Sequence, residues 1–178
     1  MHPRIQEVLD YLDSTRADLD DAVQSVAPDR RDQRPAEDRW SVAEILDHLH
    51  IAERKTVKLI TIALEAAKAK GLAQETETGA VLDTVPRARI SNRAARVSAP
   101  DAVMPRSDID AASAWAALQQ SREKMRAAAA AGDGFALSEV KQQHPALGLA
   151  DLYQWMIFQG AHEARHTAQI REIAQQGN

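Results

Sequence analysis

The run His162-Glu163-Ala164-Arg165-His166 is where residue types and spacing most directly suggest chemistry in this sequence. Residues four apart on an α-helix share a face, so both imidazoles can reach one ion. Taken at about 100° per residue, the apolar stripe of the surrounding segment is centred near Leu152, Trp155, Ile170 and Ile173. His166 falls close to the middle of that stripe and His162 within its inner half. Gln159, Glu163 and Gln169 flank them, and Arg165 points away. A buried imidazole without partners is costly, and coordination to a metal removes that cost, with Glu or Gln neighbours fixing the tautomer. Polar side chains on a facing helix are the plainer alternative. They account better for one histidine than for two at this spacing.

A third ligand has to come from elsewhere. The segment Trp40-Ser41-Val42-Ala43-Glu44-Ile45-Leu46-Asp47-His48-Leu49-His50 offers two histidines. Both lie near opposite borders of its apolar stripe, His48 marginally nearer the centre, so periodicity alone does not choose between them.

The same string His162-Glu163-x-x-His166 satisfies H-E-x-x-H, in which the glutamate is the general base of a zinc peptidase. Two features oppose that reading. Thr167 to Asn178 leaves no room for a distant glutamate ligand, and the longer H-x-x-G-x-x-H form fails because Gln169 and Glu172 occupy its positions. Glu163 remains a candidate base, or a neighbour of metal-bound water.

Four helices must position these groups. The first is expected from Pro3 to Val26, with Pro3 in its opening turn and Pro28 stopping it. The second starts at Ser41, where Glu44 completes a capping box, and runs to Lys70 before Gly71. The third spans Asp108 to Ala131, closed by Gly132 and Gly134, and the fourth Leu149 to Gln175. Leu72 to Ser107 forms a long connection broken by Pro86, Pro100 and Pro105, the kind that lets helices two and three run parallel. No alternating strand pattern stands out; Gly134 to Val140 reads as loop. The expected fold is all-α, a four-helix bundle forming a single domain over residues 1–178.

Four further features have a functional and a plainer reading. Arg87, Arg89, Arg93 and Arg96 in the connection form either an anion clamp or a solvated loop, and the acidic chain favours the loop. His144 stands at the entrance of the fourth helix, as a group lining the site mouth or as part of a His-Pro turn. Trp40 reads as a packing anchor before the second helix. Arg122, on a small apolar helix, is a candidate to reach a carboxylate or a substrate, with surface snorkelling the default.

The bulk numbers narrow the classes. A chain of 178 residues with 44% hydrophobic and 27% charged residues reads as a globular domain. Net charge −4 gives no pull toward nucleic acid or anionic membranes. Without cysteine there is no thiolate ligand or thiol nucleophile, which leaves imidazoles and carboxylates as metal donors. No 18-residue apolar run or signal-peptide core appears, so the expected compartment is the cytoplasm.

Taken in order, Trp40-Ser41-x-x-Glu44-x-x-x-His48-Leu49 and His162-x-x-x-His166-x-x-Gln169-Ile170 resemble the two signature segments of the DinB/YfiT-like superfamily. His144-Pro145-Ala146-Leu147-Gly148, followed by Gln154-Trp155, is similar to its DinB_2 branch. The resemblance spans nearly the whole chain. It implies an up-down-down-up bundle and a divalent metal held by three histidines, which by position are His48, His162 and His166. The resemblance, and not periodicity, selects His48 over His50. Three imidazoles leave coordination positions open, as in catalytic sites, and suit zinc, nickel or iron. Related branches use such a site to activate a low-molecular-weight thiol, so transfer to a small substrate is the first expectation. Metal-dependent hydrolysis is the second, and a non-catalytic metal-binding or dimerisation module the third. The Ala-rich third helix suits subunit packing, which makes a homodimer compatible with the sequence. His144 and Arg122 are the substrate-binding candidates.

Overall fold

A computed structural model of the chain describes residues 1–94 and 98–176. Among them are five α-helices: α1 (Pro3–Gln24), α2 (Val42–Ala69), the short α3 (Arg87–Ser91), α4 (Ala111–Ala131) and α5 (Leu152–Gln175). An antiparallel hairpin, β1 (Lys141–His144) with β2 (Gly148–Asp151), precedes α5. The chain is mostly helical, as expected, with this hairpin as a small two-stranded sheet that the all-α expectation did not include. No described helix is long and apolar enough to cross a membrane.

Local chemistry explains where the long helices start. Ser41 Oγ accepts from the Glu44 N–H at 3.2 Å while the Glu44 carboxylate accepts from the Ser41 N–H at 2.8 Å, the reciprocal capping box that satisfies two orphan donors. Asp110 caps α4 by accepting from Ser113 N–H at 2.8 Å. At α5 the box is built from Asp151 and Gln154, so the helix begins at Leu152 instead of Leu149. The residues before it pair with Lys141–His144, in the register Lys141 opposite Asp151 and His144 opposite Gly148. Neither Lys-Gln-Gln-His nor Gly-Leu-Ala-Asp alternates apolar with polar residues, which is why the pattern did not announce a strand. Gly148 takes φ +75°, where a side chain would be strained. Gly134 to Val140, expected as loop, holds a 3-10 turn at Leu137–Glu139 and an isolated β-bridge from Phe135 to Gln74.

The core has two apolar clusters. One joins Ile5, Val8, Leu9 and Leu12 of α1 to Ile60 and Leu64 of α2, Met125 of α4, and Leu152 and Met156 of α5. The other joins Leu19 and Val23 to Val42, Ile45, Leu46 and Leu49, with Ala114, Leu118, Ile170 and Ile173. The starts of α2 and α4 thus meet the ends of α1 and α5 in one cluster. The strongest packing pairs are α2 with α4 and α1 with α5, and α2 also touches α5. Gly160 lets α5 approach α1 closely: a Cβ there would lie 2.5 Å from a ring carbon of Tyr11.

Between the clusters lies a charged layer. Arg16, Glu53, Arg122 and Glu163 come one from each long helix and all are buried. Arg122 Nε donates to Glu53 at 2.7 Å and Nη2 to Glu163 at 3.0 Å. Arg16 Nη2 donates to the same Glu163 oxygen at 2.8 Å and lies 3.4 Å from Glu53. The Arg122 guanidinium also donates to the Leu12 carbonyl, Arg16 to Gln119 at 2.8 Å, and Ser121 Oγ to Glu53. Two cations and two anions cancel, which is how four charges are tolerated away from water.

Candidate metal centre

Three elements build the site. α5 presents His162 and His166 one turn apart, α2 presents His48 across from them, and the 3-10 turn Asp101–Val103 of the connection closes one side. His48 Nε2 lies 3.1 Å from His162 Nε2, and His166 Nε2 lies 3.2 Å from the same nitrogen. The donor atoms of all three fall within 4.8 Å of one another. His48 and His166 are buried and His162 keeps part of its surface exposed.

The outer nitrogens reveal what the inner ones offer. His48 Nδ1 is 2.7 Å from the Val103 carbonyl, a pure acceptor, so Nδ1 carries the proton and Nε2 a lone pair. His166 Nδ1 is 2.9 Å from Gln169 Oε1, and the same logic leaves its Nε2 bare. His162 can donate one proton at most, so the three facing nitrogens cannot satisfy one another. A cation at their convergence would, and this donor set fits one. Burial pushes the His162 ring down to about 3, assisted by the neighbouring His48. Burial and the His162 neighbour hold His166 well below its ordinary value. His48 is lowered by burial, partly opposed by its bond to Val103. All three are neutral near pH 7, so a metal meets little competition from protons.

Aromatic rings wall the centre. Trp40 packs with its ring 4.9 Å from His48 and 6.3 Å from His166, while remaining against the second apolar cluster. Phe158 stacks on His162 at 5.9 Å, and His144 lies 4.2 Å from Phe158 and 4.3 Å from Trp155. His144 Nδ1 accepts from the N–H groups of Ala146 and Leu147, at 3.0 and 3.2 Å, which ties it to the hairpin turn. Its burial lowers the ring to about 4.

Two other candidates are engaged in the charged layer, where Glu163 Oε1 is nonetheless buried without a partner among the described residues. Glu163 and Arg122 meet each other in the charged layer, and the Glu163 bonds run to Arg16 and Arg122. Arg122 is only 4% exposed, which corrects the snorkelling default. His50 stays apart from the three histidines, in a cavity with Asp47, Arg54 and Arg106.

The connection is less solvated than its composition suggested. Arg93 grips Glu172 with Nε at 2.7 Å and Nη2 at 3.1 Å, and its Nη1 reaches Gln169 at 3.4 Å. Arg87 pairs with Asp83 at 3.0 Å and lies over the Tyr11 ring. Arg96 lies outside the described residues. Sequence reasoning also missed Asp47, whose buried carboxylate receives the Arg106 backbone N–H at 2.8 Å and its guanidinium at 2.7 Å. A charged residue amid an apolar stripe was a usable signal for Arg16 and Glu53. The Val103 carbonyl gave none.

A curated relative from Bacillus subtilis (strain 168), the uncharacterized protein YuaE, is 24% identical over 166 residues, covering 93% of this chain and 96% of its own. No solved structure matches significantly. The family model described as the DinB superfamily matches residues 11–170, a span that includes all three histidines, and the chain belongs to that superfamily.

Proposed function

We propose that this chain is a metal-dependent enzyme that acts on a small substrate, with His48, His162 and His166 holding a divalent ion through Nε2. The observation that carries the reading is the convergence of three imidazole Nε2 atoms, two of which are left as lone pairs because Val103 and Gln169 hold the proton of His48 and His166 on Nδ1. A divalent ion with three imidazole ligands lowers the pKa of a coordinated thiol or water and stabilises a developing anion. Zinc, nickel and iron all suit such a donor set. The protein's own residues bind and shield. The histidines hold the ion at the α2–α5 junction, Trp40 and Phe158 flank them with apolar surface, and the partly exposed side of His162 leaves an approach for substrate.

Transfer of a low-molecular-weight thiol is the first reading and hydrolysis the second. The bonds of Glu163 to two arginines argue against a peptidase that needs this carboxylate as its base. We further read the scaffold as a four-helix bundle in which α2 and α4 run parallel. Its support is that their starts share one apolar cluster and their later turns the other. The cytoplasm and a homodimer belong to the same proposal.

The test is metal content by mass spectrometry on untagged protein, beside a His162→Ala/His166→Ala variant checked by circular dichroism. Near-stoichiometric metal in the parent, lost in a variant that remains helical, supports the reading. A parent that takes up no metal after incubation with zinc, nickel or ferrous iron overturns it. With metal established, thiols are screened against small electrophiles.

A further inference from the structure

Gln169 carries an ambiguity that Arg93 resolves. A glutamine amide has an acceptor end and a donor end of nearly the same shape, and its orientation follows from its partners. With the oxygen toward His166, the ring keeps its proton on Nδ1 and offers Nε2 as a lone pair. With the NH2 group toward His166, Nδ1 must accept. The proton then moves to Nε2 and blocks the position facing His48 and His162. The tautomer therefore depends on a choice made outside the ring.

Arg93 biases that choice because a guanidinium only donates. Two of its nitrogens are committed to Glu172, at 2.7 and 3.1 Å, and Glu172 is also gripped by Arg39 at 3.1 Å. The third, Nη1, is left facing the end of Gln169 that also faces His166 Nδ1, at 3.4 Å from Oε1. An NH2 group placed there would set donors against each other. We propose that Arg93 is a positioning residue of this centre, acting through the Gln169 amide to keep His166 Nε2 free for a metal. The inference rests on the metal reading above and adds to it a residue from the connection, far in sequence from any ligand.

The experiment uses the full untagged chain and two readouts. Zinc affinity is measured by competition with a chromophoric chelator. The His166 tautomer is read in metal-free protein from long-range 1H–15N imidazole spectra. Arg93→Ala is expected to shift His166 from the Nδ1-protonated form to a mixture, and to weaken zinc binding by roughly tenfold, at the lower end of outer-shell effects. Gln169→Leu, which removes the acceptor, is expected to weaken it by roughly 10- to 100-fold. Gln169→Glu supplies an acceptor at both ends, so orientation no longer matters. In that background Arg93→Ala should leave tautomer and zinc affinity unchanged.

That suppression separates positioning from structural support, because a general loosening would persist in the Gln169→Glu protein. The proposal is overturned if Arg93→Ala leaves the tautomer and affinity of the parent intact, or if Gln169→Glu fails to suppress its effect. Should the parent bind no zinc, the metal reading fails on its own, and the tautomer comparison in metal-free protein decides the role of Arg93.

Discussion

His162 and Glu163, neighbours in the chain, belong to different layers of the molecule: His162 Nε2 lies 3.1 Å from His48 Nε2, and Glu163 Oε2 lies 3.0 Å from Arg122 Nη2. Consecutive helical residues point about 100° apart, so one turn of α5 serves the histidine cluster with one side chain and the charged layer with the next. What distinguishes the glutamate of this H-E-x-x-H spacing is that its Oε2 is bound by both Arg16 and Arg122.

Glu163→Gln should accordingly act on stability. It leaves Arg16 and Arg122 with one carboxylate fewer in a buried setting, for which a loss of about 3 kcal/mol is expected. Urea denaturation measures the loss, and zinc titration of the folded variant should give an affinity near that of the parent. A variant that retains parental stability while losing zinc would contradict this assignment.

Chelation should leave the fold standing. The two apolar clusters contain none of the three histidines, and burying each large side chain contributes about 1.5–3 kcal/mol without help from a metal. Circular dichroism of the chelated protein should retain its helical signal. Saturating metal should raise the melting point, by an amount equivalent to about 2.7 kcal/mol at a free concentration of 100 Kd. The increment should vanish in His48→Ala/His162→Ala.

Acid should weaken the hairpin through His144. Its folded value of about 4 lies below the unfolded 6.5, so between these limits the unfolded chain binds more protons. The stabilising contribution is complete above about pH 6.5 and declines as pH falls toward 4. His144→Asn retains an acceptor for Ala146 and Leu147 but cannot titrate. Comparing the pH dependence of stability in the two metal-free proteins should show a shallower decline for the variant. Parallel curves would show that His144 does not contribute.

The capping box at Ser41 offers a fourth test. Ser41→Ala removes the acceptor for Glu44 N–H and should cost about 1 kcal/mol, read from thermal unfolding.

The long helices and the α5 histidine pair were legible because local rules produced them. Ser41 with Glu44 is a two-residue signal, and His162 with His166 is a spacing on one helix. The choice between His48 and His50 was not local: it came from family resemblance, and the structure places His48, not His50, beside the α5 pair. The hairpin escaped because its strands carry no apolar alternation and its turn is organised by His144, a long-range packing partner of Trp155 and Phe158. Arg93 and Val103 escaped for a related reason. Their roles depend on where a proline-interrupted connection returns in space, which no periodicity encodes.

The charged layer crosses all four long helices at one height, and this selects their alignment. Sliding any helix by a turn, about 5.4 Å, would strand an arginine or glutamate among leucines and leave its former partners exposed to the same penalty. His48 stands little more than a turn before Glu53, and His162 stands next to Glu163. The rung that sets the helices in step therefore also brings three imidazoles from distant parts of the chain to one point.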